Sequence, residues 1–195
     1  MNEPRVSPSS LRNREPILDV LRQVLPESGH AIEVASGSGT HAAWFVPRLP
    51  GWTWQPTDLG DLDSIRGWRA ILDEPRLREP VVLDVTEPWP LGPANAVFCA
   101  NMIHIAPWRA TLGLMRGAAT ALSADGVLVL YGPFHQNGAT GEGNAGFDAS
   151  LRERDPDWGI RELDAVCQVA TAAGFALDEV VAMPADNRTV VFRRT

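Results

Sequence analysis

The sequence has no lysine: all 17 of its basic side chains are arginine. That absence excludes a Schiff-base lysine, a phosphate-loop lysine and a lysine general base. Cysteine is almost as scarce. Cys99 and Cys167 are the only two, far apart and each inside an apolar segment, so buried thiols of a cytoplasmic protein are expected rather than a disulfide. There is no Cys-x-x-Cys or His-Glu-x-x-His spacing, and His30, His41, His104 and His135 are scattered, so no metal site is expected. No apolar run approaches the roughly 20 residues of a membrane span, and the polar segment Met1–Ser10 lacks the apolar centre of a signal peptide. A surplus of positive charge is also missing. With 24 carboxylates against 17 cations, the net charge is -7, which disfavours nucleic acid and anionic membranes as partners.

What is present is 195 residues, 45% of them hydrophobic, the size and composition of one globular domain. Residues 1–10 are polar and rich in proline and serine and read as a flexible arm; 11–195 read as one domain. Ile17, Leu18, Val20, Leu21, Val24 and Leu25 have helical spacing, with Pro16 fitting the first turn. Short apolar strands alternating with helices follow, over Ala31–Val34, Trp52–Gln55, Val81–Leu83, Ala94–Ala100 and Val127–Tyr131. A long polar loop, Gly132–Gly146, separates the last of these from a helix near Glu162–Ala173. Two final strands, Ala176–Met183 and Thr189–Arg193, are joined by a turn too short for a parallel crossover, so an antiparallel hairpin is expected. The alternation predicts an α/β fold with a sheet covered on both faces.

The segment Glu33–His41 lies where the first strand turns into its helix. Gly37 and Gly39 allow close backbone approach to a ligand, and the helix beyond offers free N–H groups. With Ala42 they also satisfy the loose dinucleotide pattern. Glu33 argues against a pyrophosphate, which it would repel, and for a cofactor that carries an ammonium. Asp58 and Asp84 end the next two strands, where an open α/β sheet has its ligand crevice. Asp58 is placed to accept from ribose hydroxyls and Asp84 from an adenine amine. These residues point to S-adenosyl-L-methionine; nicotinamide dinucleotide is the competing reading. Asn101, Met102 and His104 follow the fourth strand and fall beside the transferable methyl group, and Tyr131 and Phe134 end the fifth. His104 is a candidate general base or pocket wall. Asn144, Phe147 and Asp148 follow the long loop and are candidate acceptor contacts, as is Arg161. Asn13 and Arg14 read as part of a lid.

Across residues 11–195 the chain resembles the class I S-adenosylmethionine-dependent methyltransferases, and more closely the methyltransferase-like 26 family. The stretches that carry the likeness are Arg12–Ile17, Glu33–His41, Leu83–Pro90, Phe98–Ile105, Tyr131–Phe134, Asn144–Arg152 and Asp155–Arg161. The resemblance implies a Rossmann-like, doubly wound seven-stranded sheet of order 3-2-1-4-5-7-6, with strand 7 antiparallel. It implies Glu33, Ala35, Gly37, Gly39, His41, Asp58, Asp84, Val85 and Asn101 at the cofactor, and a small-molecule acceptor near Asn101, His104 and Tyr131. Ala35 departs from the glycine common at its position, and Asp186 stands where asparagine is expected, beside Asn187 of the acceptor site. Methyl transfer from a sulfonium is an in-line displacement that needs orientation more than a nucleophilic side chain. A protein that binds the cofactor without transferring its methyl group is the alternative, and would have a closed acceptor cleft.

Overall fold

A computed structural model describes residues 3–60 and 62–195. The expected arm over 1–10 falls partly outside the described residues, at 1–2. The rest of it is anchored. Helix α1 spans Pro8–Val24, with Pro8 in its first turn and the Ser7 hydroxyl accepting from the Ser10 N–H at 3.3 Å. The Arg5 and Ser7 amides donate to Ser64 Oγ and Thr40 Oγ1, at 2.8 and 3.1 Å. Pro16 is therefore an interior helix residue and not an opening one. It lacks the N–H that would donate to the Arg12 carbonyl, and α1 tolerates it because its apolar stripe is packed on the sheet.

The chain continues as β1 (Gly29–Val34), α2 (Thr40–Phe45), β2 (Trp52–Asp58), α3 (Asp63–Leu72), β3 (Val81–Val82), β4 (Ala94–Ala100), α4 (Trp108–Ala121) and β5 (Leu122–His135). Next come α5 (Glu142–Arg154), β6 (Arg161–Glu162), α6 (Leu163–Ala172), β7 (Phe175–Met183) and β8 (Asn187–Arg194). Among the described residues the sheet has eight strands, in the order β3-β2-β1-β4-β5-β8-β7 with β6 on β5. The expectation of seven strands is thus corrected. β5 runs four residues past Tyr131, and its end, Phe134–His135, pairs in parallel with β6. β8 runs antiparallel to both β5 and β7. The polar loop expected over Gly132–Gly146 is shorter than its composition implies, since β5 claims its start and α5 its end.

The strands have two buried faces, and period-2 alternation sorts their side chains between them. Ile32, Val34, Val97, Cys99, Leu128 and Leu130 pack with α4 and α6. Ala31, Ala96, Phe98, Val127, Val129 and Tyr131 pack with α1 and α2. Doubly buried central strands are the reason their sequences read as unbroken apolar runs. Among the described residues, no helix is long and apolar enough to cross a membrane.

α4 lies close enough to the loop after β3 that a Cβ at Gly113 would stand 2.3 Å from the Val85 carbonyl oxygen. Gly113→Ala should therefore destabilise the protein by about 1–3 kcal/mol through overpacking. This outweighs the roughly 1 kcal/mol that alanine contributes to a helix interior. Urea denaturation of the variant measures the balance, and a stabilised variant would show that the helix can move away.

Candidate active site

Two clefts open at the carboxyl ends of the parallel strands. The first is built on a backbone knot between β1 and β2. The Thr57 hydroxyl donates to the Glu33 carbonyl at 2.8 Å, and the Ser36 N–H donates to the Thr57 carbonyl at 2.7 Å. The chain then turns through left-handed backbone at Ala35 (φ 56°) and Gly37 (φ 57°). Alanine pays about 1–2 kcal/mol for that conformation where glycine would not, so the departure at Ala35 keeps the turn and adds strain. The Gly37 N–H donates to Asp58 Oδ2 at 2.7 Å, and the Gly60 N–H to Asp58 Oδ1 at 3.2 Å. Asp84 is fixed by the Thr86 amide and hydroxyl, 2.8 and 2.7 Å from Oδ1. Those bonds hold its carboxyl below the usual range. Ala35, Gly37, Asp58, Asp84 and Val85 line a cleft of about 360 Å³, together with Met102, Ile105 and Arg109.

The second cleft, of about 450 Å³, has Asn101 and Tyr131 in its wall. Asn101 adopts φ 62°, and its N–H donates to the Tyr131 carbonyl at 2.7 Å. The other walls come from three separate elements: Arg12 and Asn13 of α1, Asn144 and Phe147 of α5, and Asn187 after the β7–β8 turn. Asn13 also bonds the Tyr131 phenol, whose pKa is raised above its ordinary value chiefly by burial. Ile105, 42% exposed, lines both clefts.

Several expected site residues lie elsewhere. Glu33 is buried on the α1–α2 side of the sheet, and its Oε2 accepts from the Trp54 indole at 2.6 Å. It lines neither cleft. Burial, partly offset by that indole, pushes its pKa up to about 8. Gly39 (φ 76°) caps α2 behind the turn. His41 lies against Phe45, and its Nε2 meets Asn13 Oδ1 at 2.7 Å, so it ties α2 to α1. Arg14 stacks on Trp44, 3.6 Å from the ring centre.

His104 is fully buried, and its pKa is driven down to about 3, first by burial and then by Arg161. Its Nδ1 accepts from the Arg161 N–H at 3.4 Å, its Nε2 has no partner, and it lines neither cleft. A neutral, enclosed imidazole is not a general base for a ligand in these clefts. Arg161 spends its guanidinium on the carbonyls of Ile103, Ala106 and Asp157 at 2.7–2.9 Å, clamping the segment after β4. Asp148 accepts from the Ile160 N–H at 2.6 Å and from Arg152 at 2.9 Å, and Phe134 is core. Asp186 turns away from the second cleft, accepting from the Gly141 N–H at 2.7 Å and pairing with Arg188 at 2.8 Å. Of the cleft residues, Met102, Ile105 and Arg12 lie inside the stretches Phe98–Ile105 and Arg12–Ile17 that carry the family likeness, whereas nothing in the sequence singled out Arg109.

The raised pKa of Glu33 sets a pH signature. Its carboxyl is more basic in the folded chain than in the unfolded one, so its contribution to stability is full below about pH 4.5 and is lost as pH rises through about 8. Glu33→Gln keeps an oxygen for the Trp54 indole and removes the titration. The stability of the variant relative to the parent should therefore rise steadily between these limits. Urea midpoints across the range test this, and a pH-independent difference would show that Glu33 stays ionised.

Solved structures share this architecture. An O-methyltransferase family protein from Burkholderia thailandensis is 20% identical, with a TM-score of 0.83 over 96% of this chain and 57% of its own. An O-methyltransferase family 2 protein from Planctomyces limnophilus, in complex with apigenin, is 17% identical, with a TM-score of 0.79 over 96% of this chain and 58% of its own. A methyltransferase of calicheamicin biosynthesis in its SAH-bound form is 18% identical, with a TM-score of 0.74 over 93% of this chain and 54% of its own. The chain thus spans little more than half the length of these matches, and the likeness shows a Rossmann-like methyltransferase fold with a mixed sheet. A family model covers residues 4–194, nearly the whole chain, and the chain belongs to that family, described as Protein of unknown function (DUF938).

Proposed function

We propose that the protein is an S-adenosyl-L-methionine-dependent methyltransferase acting on a small molecule, with the cofactor in the first cleft and the acceptor in the second. The observation that carries this reading is the pair of clefts meeting at Ile105, the first floored by the left-handed turn after β1, with Asp58 at the end of the neighbouring β2 and Asp84 just past β3. The first cleft suits the cofactor. A Cβ at Gly37 would meet nothing within 4 Å, so a ligand can approach the backbone there. Asp84 Oδ2 has no partner among the described residues and is free to accept from an adenine amine. Asp58, with both oxygens aligned by backbone amides, would accept from the ribose hydroxyls. At about 360 Å³ the cleft is within the range of small-molecule sites.

When bound, the cofactor supplies a methyl group already activated on sulfur. The chain's own residues orient and enclose. Asn101, held by its left-handed backbone, offers its side-chain amide to the acceptor's reacting atom, and Tyr131 backs the same wall. Ile105 closes the junction against water. Any proton the acceptor sheds leaves to solvent or past Tyr131, since His104 is out of reach. Glu33 acts at one remove, through the turn that its carbonyl helps to hold. The open second cleft favours transfer over simple cofactor sensing. Placement within the methyltransferase-like 26 family rests on the sequence stretches quoted above.

Isothermal titration should show S-adenosylhomocysteine binding and no heat from nicotinamide dinucleotide. Asp84→Asn should weaken S-adenosylhomocysteine about tenfold, the cost of one hydrogen bond to a charged group. Binding of the dinucleotide alone would overturn the cofactor assignment.

A further inference from the structure

The second cleft is uniform in charge. Among the described residues, Arg12 is its one charged lining residue and no carboxylate lines it. The neighbouring ions are spoken for. Arg14 lies on Trp44, Arg161 is held by three backbone carbonyls, and Asp186 and Arg188 neutralise each other outside the wall. Arg12 has no carboxylate within ion-pair distance among the described residues, although the chain carries an excess of them. A guanidinium left free at the mouth of a cavity in an acidic protein suits a ligand anion better than solvent alone.

The rest of the cleft states what surrounds that anion. Asn144 gives its Nδ2 to the Asp186 carbonyl at 3.0 Å, and Asn187 gives its Nδ2 to the Pro184 carbonyl at 3.0 Å. Each is left with its Oδ1 as an acceptor for a ligand hydroxyl or amine. Phe147 and Tyr131 present apolar ring surface between these polar points. A phosphate would call for several converging donors, such as backbone amides at a helix start. One guanidinium with its two forked N–H groups matches a carboxylate.

We propose that the methyl acceptor is a small, largely apolar carboxylate whose carboxyl group is received by Arg12. This rests on the assignment of the second cleft to the acceptor. The carboxylate anchors the molecule at the α1 rim, and its reacting group lies toward Asn101 and Tyr131. Arg12 is then a specificity residue that fixes which end of the acceptor enters.

Benzoate and benzamide share one planar shape and differ in charge, and benzylamine places a cation on a ring of similar size. Their dissociation constants for the protein saturated with S-adenosylhomocysteine can be read by ligand-observed NMR titration at low ionic strength. Benzoate should bind about tenfold more tightly than benzamide, the scale of one charge-assisted hydrogen bond, and benzylamine should bind least. Arg12→Gln should erase the benzoate preference and Arg12→Lys should keep part of it, both with unchanged S-adenosylhomocysteine affinity. The proposal is overturned if benzamide binds as tightly as benzoate, if benzoate is not held at millimolar concentration, or if the preference survives in Arg12→Gln. The same titrations without S-adenosylhomocysteine separate the two readings. A benzoate site that depends on Arg12 in a protein with no affinity for S-adenosylhomocysteine would keep the anion site and remove the cofactor assignment.

Discussion

The site depends on the way the ends of β1 and β2 are tied together. Thr57 and Ser36 cross-link the two strand ends through the Glu33 carbonyl and the Thr57 carbonyl. Asp58 then reaches back to the Gly37 amide. Three consecutive features follow from this one lock: the left-handed turn, the opening of the first cleft over it, and the start of α2 behind it. Hydrogen bonds of this kind contribute only about 1 kcal/mol each, but here they converge on a short segment. A backbone that carries an alanine at φ 56° needs such over-determination.

Behind the lock, the molecule keeps its titratable groups out of play. Burial holds His41 near pKa 4 and His104 near 3, so both are neutral at ordinary pH. Cys99 is pushed up to about 12 for the same reason and stays a thiol. Glu33 is the exception, since its shift brings it into the neutral range. The clefts themselves are lined by two aspartates, two arginines, asparagines and a phenol.

Short unbroken apolar runs and strand-end acids were legible in the sequence because they arise from strong local rules. The buried strands and the placement of Asp58 and Asp84 followed directly. What was not legible depended on long-range partners. Nothing local shows that Trp54 would claim Glu33, or that Arg161 would be consumed by carbonyls of the segment after β4. His104 looked catalytic because it follows a strand end, yet the packing of 157–161 encloses it. The polar composition of 132–146 concealed an extended β5 and the start of α5, since pairing with β6 and β8 overrides weak strand propensity. Pro16 looked like a helix start because Ser7 and Pro8 supply a better one in a stretch that read as an arm.

The two clefts draw on different halves of the sheet. The first takes its residues from the ends of β1 and β2, the loop after β3, the segment after β4 and the start of α4. The second takes most of its own from α1, β5, α5 and the hairpin at the C-terminal end. Sequence drift in the second set can therefore re-aim what enters the molecule while the turn at Ala35 and Gly37 stays intact. Ile105 is the hinge of that independence: a change there is felt on both sides at once, so it is the position at which two otherwise separable selectivities become a single constraint.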